Sequence, residues 1–188
     1  MRIISGNFKN KKILEPNDIK TRPLKDLVKE SIFNILHHTN KFEISLKNSN
    51  VLDLFSGVGS FGIECLSRGV KIVVFIENYN RVLPVLKKNL KNLKSSENYE
   101  IIEKDIDNGD IFRTLEKKFD IIFMDPPYKD QNLNLLLENL NNTKILNKNG
   151  IIVVHRHKNQ HDLIPKNFEI VEEKKYCLSK ILFLTILN

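Results

Sequence analysis

Residues 51–62, VLDLFSGVGSFG, join a short apolar run to three glycines, and this combination constrains the fold more than any other part of the sequence. The apolar run is typical of a buried β-strand. Gly57, Gly59 and Gly62 follow it in G-x-G-x-x-G spacing. This spacing is typical of a loop that lets a nucleotide ligand approach the backbone at the start of a helix. The stretch therefore predicts a nucleotide-binding domain of the α/β class.

Beyond this stretch the sequence alternates between strand-like and helix-like segments. Further strands are predicted at 71–77, 99–105, 119–125 and 150–155. Helices are predicted at 60–69, 79–93, 108–117 and 131–140. Because the strands are apolar almost throughout, we expect a parallel sheet covered on both faces. Too few residues separate the last two apolar runs for a crossover helix, so they predict an antiparallel hairpin.

The N-terminal part has a different pattern. Residues 1–23 contain short apolar pieces around Gly6 and Pro16, which favour extended chain or a small hairpin. Apolar residues at helical spacing then predict an amphipathic helix that runs from Pro23 to about His37.

Positive charge is concentrated near the start of the chain. Lys and Arg number 30 against 23 Asp and Glu, for a net charge of +7, which suits a polyanionic partner. Lys and Asn are abundant throughout, so the position of the charge is more informative than its total. The first twelve residues contain Arg2, Lys9, Lys11 and Lys12 and no acidic residue. We predict that these side chains, with Arg22, contact nucleic acid.

Several other classes of protein are disfavoured. Neither terminus has a signal-like pattern, and no apolar run reaches membrane-spanning length. Cys65 and Cys177 have no metal or redox spacing, so we expect reduced thiols in a cytoplasmic protein without zinc. The histidines near the fifth strand are interpreted as exposed or RNA-facing side chains and not as metal ligands. These are His155, His157 and His161.

An acidic residue lies near the end of each of the first four predicted strands: Asp53, Glu77, Asp105 and Asp125. The carboxyl ends of parallel strands meet at one edge of a sheet, where ligands bind. Glu77 is placed to bind a ribose diol. Asp53 would repel a pyrophosphate but can face the ammonium of S-adenosylmethionine. The acids therefore favour S-adenosylmethionine over NAD as the cofactor.

Residues 125–128 read Asp-Pro-Pro-Tyr. An amino group on a base or amide is a poor nucleophile because its lone pair is delocalised, so methyl transfer needs acceptors that hold its N–H groups. Asp125 supplies one acceptor, and Pro126 and Pro127 stiffen the turn so that the Pro126 carbonyl can face the same amine. Tyr128 offers a ring on which a base can stack. The segment predicts methyl transfer to an amino group.

The order D-x-F-x-G-x-G, strand-terminal acid and D-P-P-Y resembles the class I S-adenosylmethionine-dependent amino-methyltransferases. The chain further resembles the RsmD family, which methylates the N2 amine of one guanine in bacterial 16S ribosomal RNA. That resemblance rests on the stretches MRIISGNFKNKKI, TRPLKDLVKESIFNIL, VLDLFSGVGSFGIECLSRG, FIEN and FMDPPY, and loosely on KKYCLSKILF. It implies a Rossmann-like fold, with a seven-stranded, mostly parallel sheet whose last strand is antiparallel, plus an N-terminal hairpin and helix.

The resemblance also implies roles for individual residues. Those expected to bind cofactor are Asp53, Phe55, Ser56, Gly57, Gly59, Glu77, Asn78, Asp105 and Ile106. Among them, Glu77 is expected at the ribose, and Asp105 and Ile106 at the adenine. Residues 125–128 would hold the guanine. The chain departs from the family pattern in four places: at Leu24, in the loop sequence Ser-Gly-Val-Gly, at Cys177 in place of glycine, and in the strand end VVHRHK in place of an acidic one.

We therefore expect an RNA-binding extension at residues 1–40 and a methyltransferase domain at 41–188. The expected reaction is transfer of a methyl group from S-adenosylmethionine to guanine N2 in 16S rRNA, within the small ribosomal subunit or its assembly intermediate. The protein is expected to be a monomer with no membrane partner. Two alternatives stay open: another acceptor (adenine N6, cytosine N4 or a protein glutamine), or a non-catalytic RNA-binding assembly factor.

Overall fold

The computed structural model describes residues 1–16, 24–93, 98–106, 110–127 and 131–187. The strands in these ranges are β1 (Asn50–Leu54), β2 (Ile72–Ile76), β3 (Tyr99–Ile102), β4 (Phe119–Met124), β5 (Leu146–His157), β6 (Phe168–Tyr176) and β7 (Ser179–Ile186). The helices are α1 (Asp26–His38), α2 (Ser60–Ser67), α3 (Leu83–Lys91), α4 (Asp110–Arg113) and α5 (Leu133–Thr143).

The seven strands form one sheet in the order β3-β2-β1-β4-β5-β7-β6. Strands β1 to β5 pair in parallel, whereas β7 pairs antiparallel with both β5 and β6. The predicted α/β class, the parallel sheet and the antiparallel last strand are confirmed. The chain order reverses between β1 and β4, and such a switch point opens a crevice at the carboxyl ends of the strands.

Helices cover both faces of the sheet, as the apolar strands predict. On β1, Val51 belongs to the core shared with α1, α2 and α3, whereas Leu52 belongs to the core shared with α4 and α5. Both side chains are fully buried. Because successive side chains point to opposite faces, Asp53 lies on the same face as Val51.

The N-terminal residues form the predicted hairpin and pack into the first core. An antiparallel bridge joins Arg2 to Lys12, and Ile3 and Ile13 are each only 1% exposed. The backbone N–H groups of Ile4 and Ser5 donate to the buried Glu64 carboxylate on α2, at 2.7 and 3.0 Å. The hairpin is therefore fastened to the helix that follows the glycine loop. The domain division at residue 40 stays a prediction.

A buried lysine ties α1 to the same place. Lys29 Nζ donates to the Arg2 carbonyl at 2.7 Å and lies 3.7 Å from Glu64. Burial lowers the pKa of Lys29, and the neighbouring Glu64 and Asp26 partly offset that shift. A buried ammonium is tolerated here because a carbonyl and a carboxylate both face it.

Some element ends differ from the predicted ones. Helix α3 begins at Leu83 and not at residue 79, because the Tyr79 N–H is held by the Glu77 carboxylate at 2.9 Å in a turn before the helix. Strand β5 begins at Leu146, where it pairs with Phe119 ahead of a register shift. Residues 108 and 109, which begin the helix predicted at 108–117, lie outside the described residues.

The conformation of the β6–β7 turn explains why glycine suits the position that Cys177 occupies in this chain. Cys177 has φ of +50°, a left-handed conformation that glycine adopts without steric cost. Both cysteines are free, Cys65 buried and Cys177 exposed. Within the described ranges, no helix is long and apolar enough to cross a membrane.

Candidate active site

A cavity of about 520 Å³ lies at the carboxyl edge of the sheet, at the switch point between β1 and β4. Nine of the residues expected at the site line it: Asp53, Phe55, Ser56, Gly57, Glu77, Asn78, Asp125, Pro126 and Pro127. Phe61 and Phe123 form part of its wall and stack at 4.1 Å between ring centroids. Tyr128 lies outside the described residues.

The loop between β1 and α2 (residues 55–59, the glycine loop) is shaped by close packing. Gly59 has φ of +84°, and a Cβ there would come within 2.6 Å of Leu86 on α3. The third glycine of the motif lies on the helix. A Cβ on Gly62 would meet the Phe75 ring at 2.3 Å, so this glycine lets α2 lie directly against β2. The motif therefore places the helix N-terminus at the cavity, whatever ligand binds there.

Glu77, at the end of β2, holds the glycine loop from the side. Its carboxylate accepts hydrogen bonds from the N–H groups of Gly57, Asn78 and Tyr79, at 2.7, 3.0 and 2.9 Å. A carboxylate has about four acceptor positions, so one remains for a ligand hydroxyl. Because Glu77 already occupies the Gly57 amide and adds negative charge, the loop is a poor site for a pyrophosphate.

Asp53, on β1, is the most buried acid of the cavity, at 1% exposed. Its Oδ2 accepts from the Gly62 N–H at 3.0 Å, whereas its Oδ1 has no hydrogen-bond partner among the described residues. Burial raises the pKa of Asp53 well above its ordinary value, and the nearby charges of Asp125 and Glu77 raise it further. A buried, unpartnered carboxylate oxygen among other acids fits a cationic ligand group.

Asp125, immediately after β4, is held by a histidine that the sequence did not single out for the site. Asp125 Oδ1 lies 2.9 Å from His155 Nδ1, and His155 Nε2 lies 2.9 Å from Ser179 Oγ on β7. The interpretation of His155 as an exposed side chain is wrong, because the residue is 5% exposed. Strand β5 continues through His157 between β4 and β7, and its position buries the ring at residue 155.

Arg156 holds the same segment from the opposite face of the sheet. Its fully buried guanidinium donates to the Pro127 carbonyl at 3.3 Å and to Asp162 at 2.9 Å. Lys180 Nζ lies 3.5 Å from the same Asp162 carboxylate. Residues 125–127 (the D-P-P segment) are thus fixed at the Asp125 side chain and at the Pro127 backbone.

Three residues expected at the cofactor lie off the cavity wall. Gly59 is at the start of α2, and its N–H donates to the Ser56 carbonyl at 2.8 Å. Asp105 accepts from the Asn78 amide at 2.9 Å and so adjoins the cavity through a lining residue. Ile106 is 4% exposed and packs in the core with α4. Their roles toward a cofactor stay predictions.

The predicted nucleic-acid contacts Arg2, Lys9, Lys11 and Lys12 are all exposed on the hairpin. Arg2 and Lys12 face each other across its bridge, and Lys11 Nζ lies 4.9 Å from the centre of the Phe8 ring. Arg22 falls in residues 17–23, outside the described part of the chain. Pro16 and Leu24, which flank those residues, both line the cavity.

The acidic side chains that line the cavity are not arranged as a set of metal ligands. Among the placed residues, no group of three or more His, Cys, Asp and Glu side chains could hold a metal ion. The site offers acceptors and one apolar wall. That chemistry is suited to binding a cation and to orienting an amine.

Known proteins resemble the chain over nearly its full length. The family model described as "Conserved hypothetical protein 95" matches residues 1–185. A "Ribosomal RNA small subunit methyltransferase D" from Buchnera aphidicola is 36% identical over 92% of this chain and 86% of its own. The protein of the same name from Haemophilus influenzae is also 36% identical, over 93% and 88%.

A solved structure agrees with these sequence matches. The structure of yhhF from Escherichia coli, named as a methyltransferase, superposes with a TM-score of 0.83 at 25% identity. The match covers 100% of this chain and 98% of that one. The chain therefore belongs to the Conserved hypothetical protein 95 family, the RsmD family of methyltransferases.

Proposed function

We propose that the protein transfers a methyl group from S-adenosylmethionine to the exocyclic N2 amine of one guanine in bacterial 16S ribosomal RNA. One observation carries the proposal: Asp53, Glu77 and Asp125 converge on a single cavity at the switch point of a Rossmann-like sheet. One end of that cavity suits a cationic nucleoside, and the other suits an amine.

The cofactor assignment is supported by the charge of the cavity. Asp53 Oδ1 would face the ammonium of the methionine portion, and Glu77 would accept from a ribose hydroxyl. Asp105 and Ile106 would lie toward the adenine. When bound, S-adenosylmethionine supplies an electrophilic methyl carbon on its sulfonium.

The D-P-P segment would hold the target. Asp125 accepts one N–H of the amine and the Pro126 carbonyl a second, which concentrates the nitrogen lone pair on the side facing the methyl carbon. The nitrogen forms its bond to carbon as the carbon–sulfur bond breaks. The surplus N–H proton then leaves toward the Asp125 carboxylate. Most of the rate enhancement would come from alignment of the amine with the methyl carbon, and Tyr128 would stack on the base.

Two observations support a ribosomal RNA substrate. Relatives 36% identical to this chain are named for small-subunit ribosomal RNA methylation. The exposed Arg2, Lys9, Lys11 and Lys12 give the hairpin a positive surface, which favours a phosphate backbone. We propose that Arg22, which the structure does not describe, adds to this positive charge. We propose that the protein acts as a cytoplasmic monomer on the small subunit or its assembly intermediate.

The test is transfer of labelled methyl from S-adenosylmethionine to small-subunit particles that lack the modification, with nucleoside analysis of the digested RNA. Label in N2-methylguanosine is the expected result. Label in another nucleoside would overturn the guanine assignment and keep the methyl transfer. Failure to label particles or naked RNA would overturn the RNA substrate, and a parallel assay with a glutamine-containing protein acceptor would separate a different substrate from an inactive fold.

A further inference from the structure

We propose that His155 is a positioning residue for methyl transfer: its Nδ1–H fixes the Asp125 carboxylate so that Oδ2 is presented to the target amine. The inference rests on the proposed function. From the sequence alone, His155 is interpreted as an exposed or RNA-facing side chain. It lies in the strand end VVHRHK, where the chain departs from the acidic pattern of its family.

The hydrogen-bond geometry determines which nitrogen carries the proton. An ionised carboxylate can only accept, so the 2.9 Å contact between His155 Nδ1 and Asp125 Oδ1 requires a proton on Nδ1. In the neutral ring Nε2 then accepts, and the hydroxyl of Ser179 at 2.9 Å is its donor. Both ring nitrogens are thus used by fixed partners, and the ring cannot rotate without losing both bonds.

Asp125 needs such a restraint because it lies among like charges. Asp53 and Glu77 line the same cavity, and the charge of Asp125 contributes to the raised pKa of Asp53. With its side chain 19% exposed, an unrestrained Asp125 would turn toward solvent and away from the buried acid. The bond to His155 keeps one oxygen at β5 and directs the other toward the cavity.

The restraint is itself rigid. His155 is 5% exposed, and its strand is flanked by β4 and β7. Asp125 directly follows β4, and Ser179 is the first residue of β7. Arg156, the next residue on β5, fixes the Pro127 carbonyl from the other face. Two consecutive residues of one strand therefore hold the two ends of the D-P-P segment.

The experiment compares two replacements of His155 in steady-state methyl transfer. His155→Asn places an amide N–H near the position of Nδ1, whereas His155→Leu fills similar space with no donor. We expect His155→Leu to lower kcat by about 10–100-fold with little change in KM for S-adenosylmethionine, because misplacement of a reacting group has costs of this size. His155→Asn should recover most of that loss. Asn159→Leu, which removes a polar side chain at an exposed position just beyond the same strand, is the control and should stay within about two-fold of wild type.

A second measurement does not depend on activity. The ¹⁵N shifts of the His155 ring, assigned by their absence in His155→Asn, should report the Nδ1–H tautomer in the wild-type protein. An Nε2–H tautomer would overturn the proposal. So would equal losses of kcat in His155→Leu and His155→Asn with unchanged melting temperatures, or no loss in either. Failure of the proposed function is distinct, because the wild-type protein would then transfer no methyl group to RNA.

Discussion

The two ends of the cavity are built in different ways. At the end proposed for the cofactor (the cofactor end), Asp53 is held by the Gly62 N–H on α2, and Glu77 is held by the Gly57 N–H in the glycine loop. At the target end, Asp125 is held by the side chain of His155, on the neighbouring strand. Backbone donors are fixed by the fold, whereas a side-chain donor can be changed without moving the chain. The first end is therefore suited to a cofactor common to many enzymes, and the second to a specific acceptor.

The largest effect that should separate the two ends is Asp125→Ala. Removing the carboxylate should lower kcat by about 10²–10³-fold or more, as loss of a transition-state hydrogen-bond partner does. Affinity for S-adenosylhomocysteine, measured by calorimetry, should be kept within about three-fold. Asp110→Ala, at an exposed position on α4, is the control and should change neither quantity. A matching loss of cofactor affinity in Asp125→Ala would show that the two ends are not separable.

Glu77→Gln should weaken cofactor binding, which Asp125→Ala should leave unchanged. One glutamine oxygen cannot serve the N–H groups on both sides of Glu77, so at least one buried donor is left facing an NH₂ group, at about 1–3 kcal/mol. We expect affinity for S-adenosylhomocysteine to fall about ten-fold or more, with a lower melting temperature. Glu103→Gln, an exposed acid beyond β3, is the matched control. Unchanged affinity in Glu77→Gln would remove Glu77 from the cofactor end.

Arg156→Lys tests the backbone half of the target end. A lysine can pair with Asp162 but lacks the planar fork that also reaches the Pro127 carbonyl. A loss of kcat of about three- to ten-fold is expected, with cofactor affinity kept. Arg113→Lys, on the surface of α4, should leave kcat unchanged. If both variants behave alike, the guanidinium does not orient the D-P-P segment.

Asp53→Asn should produce the smallest effect of these changes. It should raise the stability of the protein, whereas Glu77→Gln should lower it. The pKa of Asp53 is raised in the folded protein, so the folded state binds the proton more tightly than the unfolded state. This contribution is complete below the ordinary carboxyl range and is lost as pH rises through it toward the folded pKa. At pH 7, where this carboxyl is ionised in the unfolded chain, the raised pKa of Asp53 in the folded state therefore destabilises the ligand-free protein.

We expect Asp53→Asn to raise stability at pH 7 by about 1 kcal/mol, or roughly 2–4 °C in melting temperature for a chain of this size. Affinity for S-adenosylmethionine should fall in the same variant. In thermal melts from pH 7 toward pH 4, the gain should shrink as the pH approaches the ordinary carboxyl range of the unfolded chain. A gain that grows on acidification would contradict the raised pKa.

The difference between the two ends of the cavity also explains which parts of the site can be predicted from the sequence. The cofactor end depends on contacts of short separation, nine residues between Asp53 and Gly62 and 20 between Gly57 and Glu77. Motif spacing encodes such contacts, and the alternation of strands and helices encodes the sheet that carries them. The sequence therefore predicted the fold and most of the cavity wall.

The target end depends on which strands become neighbours. Asp125 and His155 are 30 residues apart, and His155 and Ser179 are 24 apart on a strand of opposite direction. No local spacing links these residues, and a histidine at a strand end is usually solvated. The one available sequence signal is the departure from an acidic strand end at VVHRHK. It points to the contacts of His155 only when the strand order β4-β5-β7 is known.

The attachment of the N-terminal hairpin has a consequence for the order of synthesis. Ile4 is hydrogen-bonded to a residue 60 positions later, and Leu14 to Asn89, 75 positions later. The hairpin therefore has no partner on α2 or α3 until those helices have been made. Non-local closure of this kind slows folding and prolongs the exposure of apolar side chains such as Ile3 and Ile13. The nascent hairpin must therefore stay unattached until both helices exist.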